Sequence, residues 1–317
     1  MPKIKSFLLP FLAAFVFSFA FISLLSGGQT SGKVFSGVDG RLSNSDFQVQ
    51  GSTVVSIPKP TLKIAEPFLE GSVSARSVLI TELDSKIAVF AKASDLVLEP
   101  ASTTKLATAL VAVNMWPVDR SLIVPGTCVG LPGDNMGLVS GEVISLKNLL
   151  YGMLLNSASD AICVIYSNDG GLSNFTAKMN ELAASLDLNS TYFGNPYGFD
   201  SVQGGWQGNK SSVSDLSILA SEVLKDPILK EIVSTKNVTV TSTDSVLTHQ
   251  LKNTNELLGV IPGVYGVKTG TTNNAGQCLI TALNYNDRNF LIVILGSSDR
   301  YADTRKLINW LESSVSW

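Results

Sequence analysis

The chain has 317 residues, few charges, many apolar side chains and a net charge of −3. No basic surplus is present for nucleic acid and no acidic tail for a solvating segment, so nucleic acid is excluded as a partner. Three cysteines without C-x-x-C spacing and a single histidine argue against a disulfide framework and against a zinc site; no metal or cofactor is expected.

Taken in order, the chain opens with Lys3 and Lys5 ahead of an apolar run from Phe7 to Leu25. That run approaches the ~20 residues that cross a bilayer, and the small residues Ser26-Gly27-Gly28 also suit signal cleavage. Residues 1–28 are therefore expected to be a signal peptide or membrane anchor, with everything after them outside the cytoplasm. Residues 29–74, rich in Ser, Gly, Thr and Val with three prolines, read as a linker. The globular domain is expected over 75–317.

Within it, Ser77–Glu82 and Ile87–Ala91 form a predicted hairpin around Leu83-Asp84-Ser85-Lys86. Pro100 suits the first turn of a helix, and Lys105–Val113 continues it without a breaker before Pro117. That helix is apolar nearly all round, as in a helix buried on every side. Leu122–Val124 is a short strand, and Pro125–Gly141, with five glycines and two prolines, must be irregular. Predicted helices follow at Leu146–Asn156, at Asp160–Ser167 with Asp160 as N-cap, and at Leu172–Leu186. Gly194–Gly208 is a loop. Ser214–Leu224 and Pro227–Ser234 are helical. Val238–Thr243, Gly263–Lys268, Gln277–Asn284 and Phe290–Leu295 are strands, and a last helix runs over Asp299–Ser314. His249 sits in a polar–apolar alternation that reads as an ordinary strand, so a Ser-His-Asp triad is not expected. Cys163 and Cys278 read as packing residues. This order predicts an α+β domain: one antiparallel sheet built from both chain ends, with a helical cluster against it.

The chemistry concentrates at Ser102 and Lys105. An i,i+3 pair shares a helix face. A lysine at the mouth of a buried helix must be paired or shed its proton, and a neutral lysine beside a hydroxyl is a base beside its nucleophile. S-x-x-K alone is a weak pattern. Here Lys268-Thr269-Gly270 follows at the end of a predicted strand, and Ser157-Ala158-Ser159 lies between them at a helix–helix junction. Together these are the elements of the S-x-x-K, S-D-N and K-T-G signature, with serine where the middle motif has asparagine.

On these motifs, and on Asp160-Ala161, Met179-Asn180, Asn195-Pro196-Tyr197-Gly198, Asn253-Thr254-Asn255, Ala275-Gly276 and Arg300, the stretch from Ser77 to Trp310 resembles the serine-type D-Ala-D-Ala carboxypeptidases, the low-molecular-mass penicillin-binding proteins. The resemblance implies the β-lactamase/penicillin-binding transpeptidase-like fold, peptidoglycan stem peptides ending in D-Ala-D-Ala as substrate, and β-lactams as covalent inhibitors. It makes Ser102 the nucleophile, Lys105 its base, and Ser157 a proton relay. Lys268, Thr269 and Arg300 would hold the substrate carboxylate, Gly270 would admit its backbone, and the N–H groups of Ser102 and Thr271 would form the oxyanion hole. Ser159 stands where the family has an asparagine that touches substrate and the first lysine. Two other readings use the same residues: a class A-like β-lactamase, which lacks the expected E-x-x-L-N here, and a catalytically weak peptidoglycan-binding protein marked by Ser159.

Overall fold

The computed structural model describes residues 61–62, 70–201, 205 and 207–316. The apolar run 7–25 lies outside the described residues, and so does most of the expected linker. All described residues belong to one compact unit, Val55–Trp317.

The elements in chain order are β1 (Thr61–Leu62), β2 (Ser77–Glu82), β3 (Ala88–Lys92), α1 (Lys105–Met115), β4 (Ser121–Ile123), β5 (Val143–Ser145), α2 (Leu146–Leu155), α3 (Ser159–Ser167) and α4 (Leu172–Ser185). They continue with α5 (Val213–Lys225), α6 (Pro227–Ser234), β6 (Asn237–Thr241), β7 (Thr248–Lys252), β8 (Val264–Thr272), β9 (Gly276–Tyr285), β10 (Arg288–Ser297), α7 (Arg300–Ser314) and β11 (Val315–Ser316).

Five strands form one antiparallel sheet in the order β3-β2-β10-β9-β8, so the N-terminal hairpin pairs directly with the C-terminal strands. The expected assembly from both chain ends is what the structure shows. β10 sits at the centre because its apolar run Phe290–Leu295 serves two faces at once. Leu291, Val293 and Leu295 join the core under the helices, whereas Phe290, Ile292 and Ile294 join the core under α7. With side chains alternating across a strand, only a sheet covered on both sides accepts such an uninterrupted run. α7 supplies the cover on one side with Leu307, Ile308 and Leu311, all nearly inaccessible. Each such side chain is worth roughly 1.5–3 kcal/mol as an upper estimate.

The other layer is helical. α1 packs against α2, α4 and α5, which is why its sequence has no polar face. Two small antiparallel ladders, β4–β5 and β6–β7, edge this layer. His249 on β7 is buried there; its Nδ1 donates to Met136 O at 3.1 Å and its Nε2 lies 2.7 Å from Glu142 Oε1. It bonds structure rather than lining the cleft.

Two expectations are corrected. No disulfide framework is expected and Cys163 reads as a packing residue, but Cys128 and Cys163 form a disulfide. A cysteine in an irregular loop and another 35 residues later carry no pairing signal until the fold brings loop 125–141 onto α3. Asp160 is not an N-cap: Ala158 occupies that position, and Asp160 lies in the first turn of α3. Its buried carboxylate instead accepts the N–H groups of Met136, Gly137 and Leu138, at 3.0, 3.0 and 3.1 Å. The described end of the stretch expected to be a linker packs onto the domain. β1 pairs with β11, Val73 is buried, and the Asp303 carboxylate takes N–H bonds from Ser74 and Ala75.

Candidate active site

The helix predicted from Pro100 begins as a 3-10 turn, Ala101–Thr104, and becomes α-helical at Lys105. The i,i+3 geometry holds across that junction: Lys105 Nζ lies 2.8 Å from Ser102 Oγ and donates a second bond to Tyr197 O at 2.6 Å. The amine is 1% exposed. Burial holds its pKa well below the ordinary lysine value, the Lys268 charge pushes the same way, and the Asp134 carboxylate opposes both. A group in this state accepts a proton readily from the hydroxyl beside it.

β8 closes the cleft from the sheet side. Lys268 Nζ reaches across to Ser157 Oγ at 3.2 Å and bonds Thr269 O at 3.1 Å. Burial lowers its pKa to about 7, with Asp134 opposing and Arg300 adding to the shift. Ser157 has a positive φ of 65° in the α2–α3 connection, which turns its side chain toward β8. Gly270 permits this strand to touch the serine's turn: a Cβ there would sit 2.8 Å from Ser102 N. Gly198 does the same from the other side, since its φ of +83° and a Cβ only 2.0 Å from Ala101 O rule out any side chain. The backbone N–H groups of Ser102 and Thr271 thus lie where turn and strand meet.

The resulting cavity, about 240 Å³, is lined by Ser102, Asp134, Ser157, Thr254, Thr269, Gly270, Thr271, Arg300 and Tyr301. Thr269 Oγ1 and Thr254 Oγ1 share a hydrogen bond of 2.6 Å, and Tyr301 OH donates to Thr254 O at 2.7 Å. Arg300 lines the cavity, but most of its donors hold the strand. Nη1 bonds Gly270 O at 2.8 Å and Cys278 O at 3.1 Å, Nε bonds Gln277 Oε1 at 3.1 Å, and Nη2 bonds Thr271 Oγ1. A guanidinium has five N–H groups, so one on Nη2 is left for a ligand.

Ser159 is placed differently from expectation. It is 1% exposed, its Oγ faces Gly133, and it does not line the cavity. A serine hydroxyl is shorter than an asparagine amide and offers a single donor. Its backbone N–H donates instead to Asp134 O at 2.6 Å. Asp134, Thr254 and Tyr301 were missed as site residues. Thr254 and Tyr301 adjoin recognisable positions, Asn253-Thr254-Asn255 and Arg300. Asp134 sits in the irregular loop, where no periodicity marks a facing direction. Cys278 is buried and free, and burial pushes its thiol up to about 11, so it behaves as a packing residue. Among the described residues no cluster of His, Cys, Asp and Glu suits a metal ion.

An antiparallel sheet against a helical cluster, with a serine and two buried lysines at their junction, is the fold of penicillin-binding and DD-transpeptidase proteins. A crystal structure of a D-alanyl-D-alanine carboxypeptidase from Mycobacterium tuberculosis superposes with TM-score 0.71 at 25% identity, covering 77% of this chain and 94% of that one. The chain belongs to the D-alanyl-D-alanine carboxypeptidase family, which matches residues 62–299. The D-alanyl-D-alanine carboxypeptidase DacF of Bacillus subtilis is 31% identical over 248 residues, 74% of this chain but only 61% of that protein's length. A D-alanyl-D-alanine carboxypeptidase from a Streptomyces species is 30% identical over 242 residues, 70% of this chain and 81% of that protein.

Proposed function

We propose that this protein is an extracytoplasmic serine-type D-Ala-D-Ala carboxypeptidase that trims peptidoglycan stem peptides through a Ser102 acyl-enzyme and is acylated by β-lactams at the same serine. The observation that carries the reading is the buried Lys105 amine 2.8 Å from Ser102 Oγ. In acylation, Ser102 Oγ bonds the carbonyl carbon between the two D-alanines, the C–N bond breaks, and the terminal D-alanine leaves. The serine proton passes to Lys105 and on through Ser157 to the leaving amine. Water then cleaves the ester and regenerates the hydroxyl. The N–H groups of Ser102 and Thr271 stabilise the oxyanion, a contribution of about 3–4 kcal/mol per donor. Lys268, Thr269 and the remaining Nη2 N–H of Arg300 hold the substrate carboxylate, with Thr254 supporting Thr269. Ser159 contributes through the loop it holds rather than by touching substrate.

Two features support the location. The Cys128–Cys163 disulfide suits an oxidising compartment. The apolar run 7–25 behind Lys3 and Lys5 suits a signal or anchor. Among the described residues, no helix is long and apolar enough to cross a membrane.

Intact mass after incubation with penicillin tests the reading, paired with D-Ala release from a pentapeptide. Wild type gains one penicillin mass and releases D-Ala, and Ser102→Ala does neither. Mass gain without any release would leave a penicillin-binding protein that is not a carboxypeptidase. Rapid turnover of the penicillin would make it a β-lactamase.

A further inference from the structure

Asp134 is the one acidic side chain among the residues lining the cavity, and the mechanism has no use for it. It is exposed, and it takes part in none of the ion pairs among the described residues. Nor does it serve proton abstraction, since its charge favours the protonated forms of both Lys105 and Lys268. A carboxylate that works against the base needs another role to account for it.

Its position is fixed from several directions at once. Its own carbonyl accepts the Ser159 N–H, and the next carbonyl, Asn135 O, accepts from Asn156 Nδ2 at 3.3 Å. Asn135 Nδ2 bonds Leu131 O and Gly133 O. The three N–H groups that follow are bonded to the Asp160 carboxylate, and Met136 O is bonded to His249. Upstream, the disulfide ties Cys128 to α3. The loop backbone that carries the Asp134 carboxylate to the cleft is therefore held in place, on the helical side opposite β8.

The two walls are electrically opposite. Lys268 and Arg300 make the β8 end cationic, which suits a terminal carboxylate, and Asp134 makes the helical wall anionic. We propose that Asp134 is a specificity-determining residue that recognises an ammonium group on the acyl side of the substrate, selecting stem peptides whose residue before D-Ala-D-Ala carries a free side-chain amine. Peptides in which that amine is acylated, as in a cross-link, lose the contact. The inference rests on the carboxypeptidase reading above and names its substrate class.

The test compares Nα-acetyl-L-Lys-D-Ala-D-Ala, whose ε-amine is free, with its Nα,Nε-diacetyl analogue, using the full chain at low salt and following D-Ala release. Wild type favours the free amine in kcat/KM by up to roughly fivefold, the upper range of an exposed ion pair. Asp134→Asn brings the two peptides to near parity, and Asp134→Lys reverses the order. Equal kcat/KM for the two peptides with wild type, or a preference that survives in Asp134→Asn, overturns the proposal. A variant that shifts the pH profile while keeping the preference would make Asp134 a tuner of the lysines instead, which also overturns it. If wild type releases D-Ala from neither peptide, the carboxypeptidase reading fails on its own. The ratio of acylation rates by a penicillin with and without a side-chain ammonium then decides whether Asp134 recognises a cation.

Discussion

Gly270 is where the strand of the third motif meets the turn of the first, and adding one methyl group there tests the whole arrangement. A Cβ would lie 2.8 Å from Ser102 N, 3.0 Å from Ala101 Cβ and 3.2 Å from Thr103 N, where 3.4 Å is the lower limit of ordinary contact. Two of those atoms are backbone atoms of one short turn, so no side-chain rotation relieves the clash. The strand and the turn must separate by about 0.6 Å, the difference between 3.4 and 2.8 Å. Overpacking of this kind costs about 1–3 kcal/mol of stability. The catalytic effect is expected to be larger, because the N–H groups proposed as oxyanion donors, those of Ser102 and Thr271, sit on the two parts that separate. A 1 Å misplacement costs about a hundredfold in rate, so tenfold or more is expected here. Stopped-flow acylation by a fluorescent penicillin reads the rate, and thermal melting reads the fold. Gly71→Ala is the control, since a Cβ there meets nothing within 4 Å. If Gly270→Ala acylated at the wild-type rate with an unchanged melting temperature, the close approach of β8 to the serine would be wrong.

Further outcomes follow from the two lysines, the disulfide and a second glycine. The kcat/KM profile of the free enzyme should fall on the alkaline side with an apparent pKa near 7, as Lys268 loses the charge proposed to grip the carboxylate. Lys268→Arg moves that limb out of range, and an unmoved limb would assign it elsewhere. Lys105→Met abolishes acylation. Its stability effect has a defined sign: the folded pKa lies below the 10.5 of a free lysine, so the unfolded chain binds more protons and the stability Lys105 contributes rises with pH toward that value. The variant therefore gains most over wild type at acid pH and least near pH 10.5, and a gap that widened toward alkaline pH would contradict the depressed pKa. For the disulfide, a loop of 35 residues corresponds to about 4 kcal/mol in the chain-entropy relation. Urea unfolding of a Cys128→Ser/Cys163→Ser variant should lose an amount of that order, and no loss would mean that the loop is held by Asp160 and His249 alone. Gly198→Ala, with backbone 2.0 Å from its Cβ and a φ of +83°, should fail to fold or melt far below wild type.

Local chemistry made several parts of this protein legible in the sequence. The i,i+3 spacing of Ser102 and Lys105 survives as a 2.8 Å contact because a helical turn sets that distance whatever surrounds it. The all-apolar α1 and the doubly covered run Phe290–Leu295 follow from periodicity, which also gave the α+β order of elements. Lys268-Thr269-Gly270 was readable from its residue types on a predicted strand, although that strand runs on to Thr272 instead of stopping at Lys268.

What the sequence could not determine was where residues without a period would point. Loop 125–141 has no repeat, so neither the disulfide from Cys128 nor the Asp134 carboxylate in the cleft was visible in it. Asp160 looked like a helix cap because a cap is a local rule, whereas its real partners lie more than twenty residues upstream. Arg300 read as facing the cleft, but only the register Gly270↔Cys278 and Thr271↔Gln277 showed that four of its five N–H groups are held by the protein, leaving one toward the cavity. The pairing of Ser102 with Lys105 was set by spacing along one helical stretch. The depressed proton affinities of Lys105 and Lys268, the Asp134 carboxylate in the cleft and the burial of Ser159 away from it were decided only by tertiary structure, because burial and charge proximity belong to the packed chain.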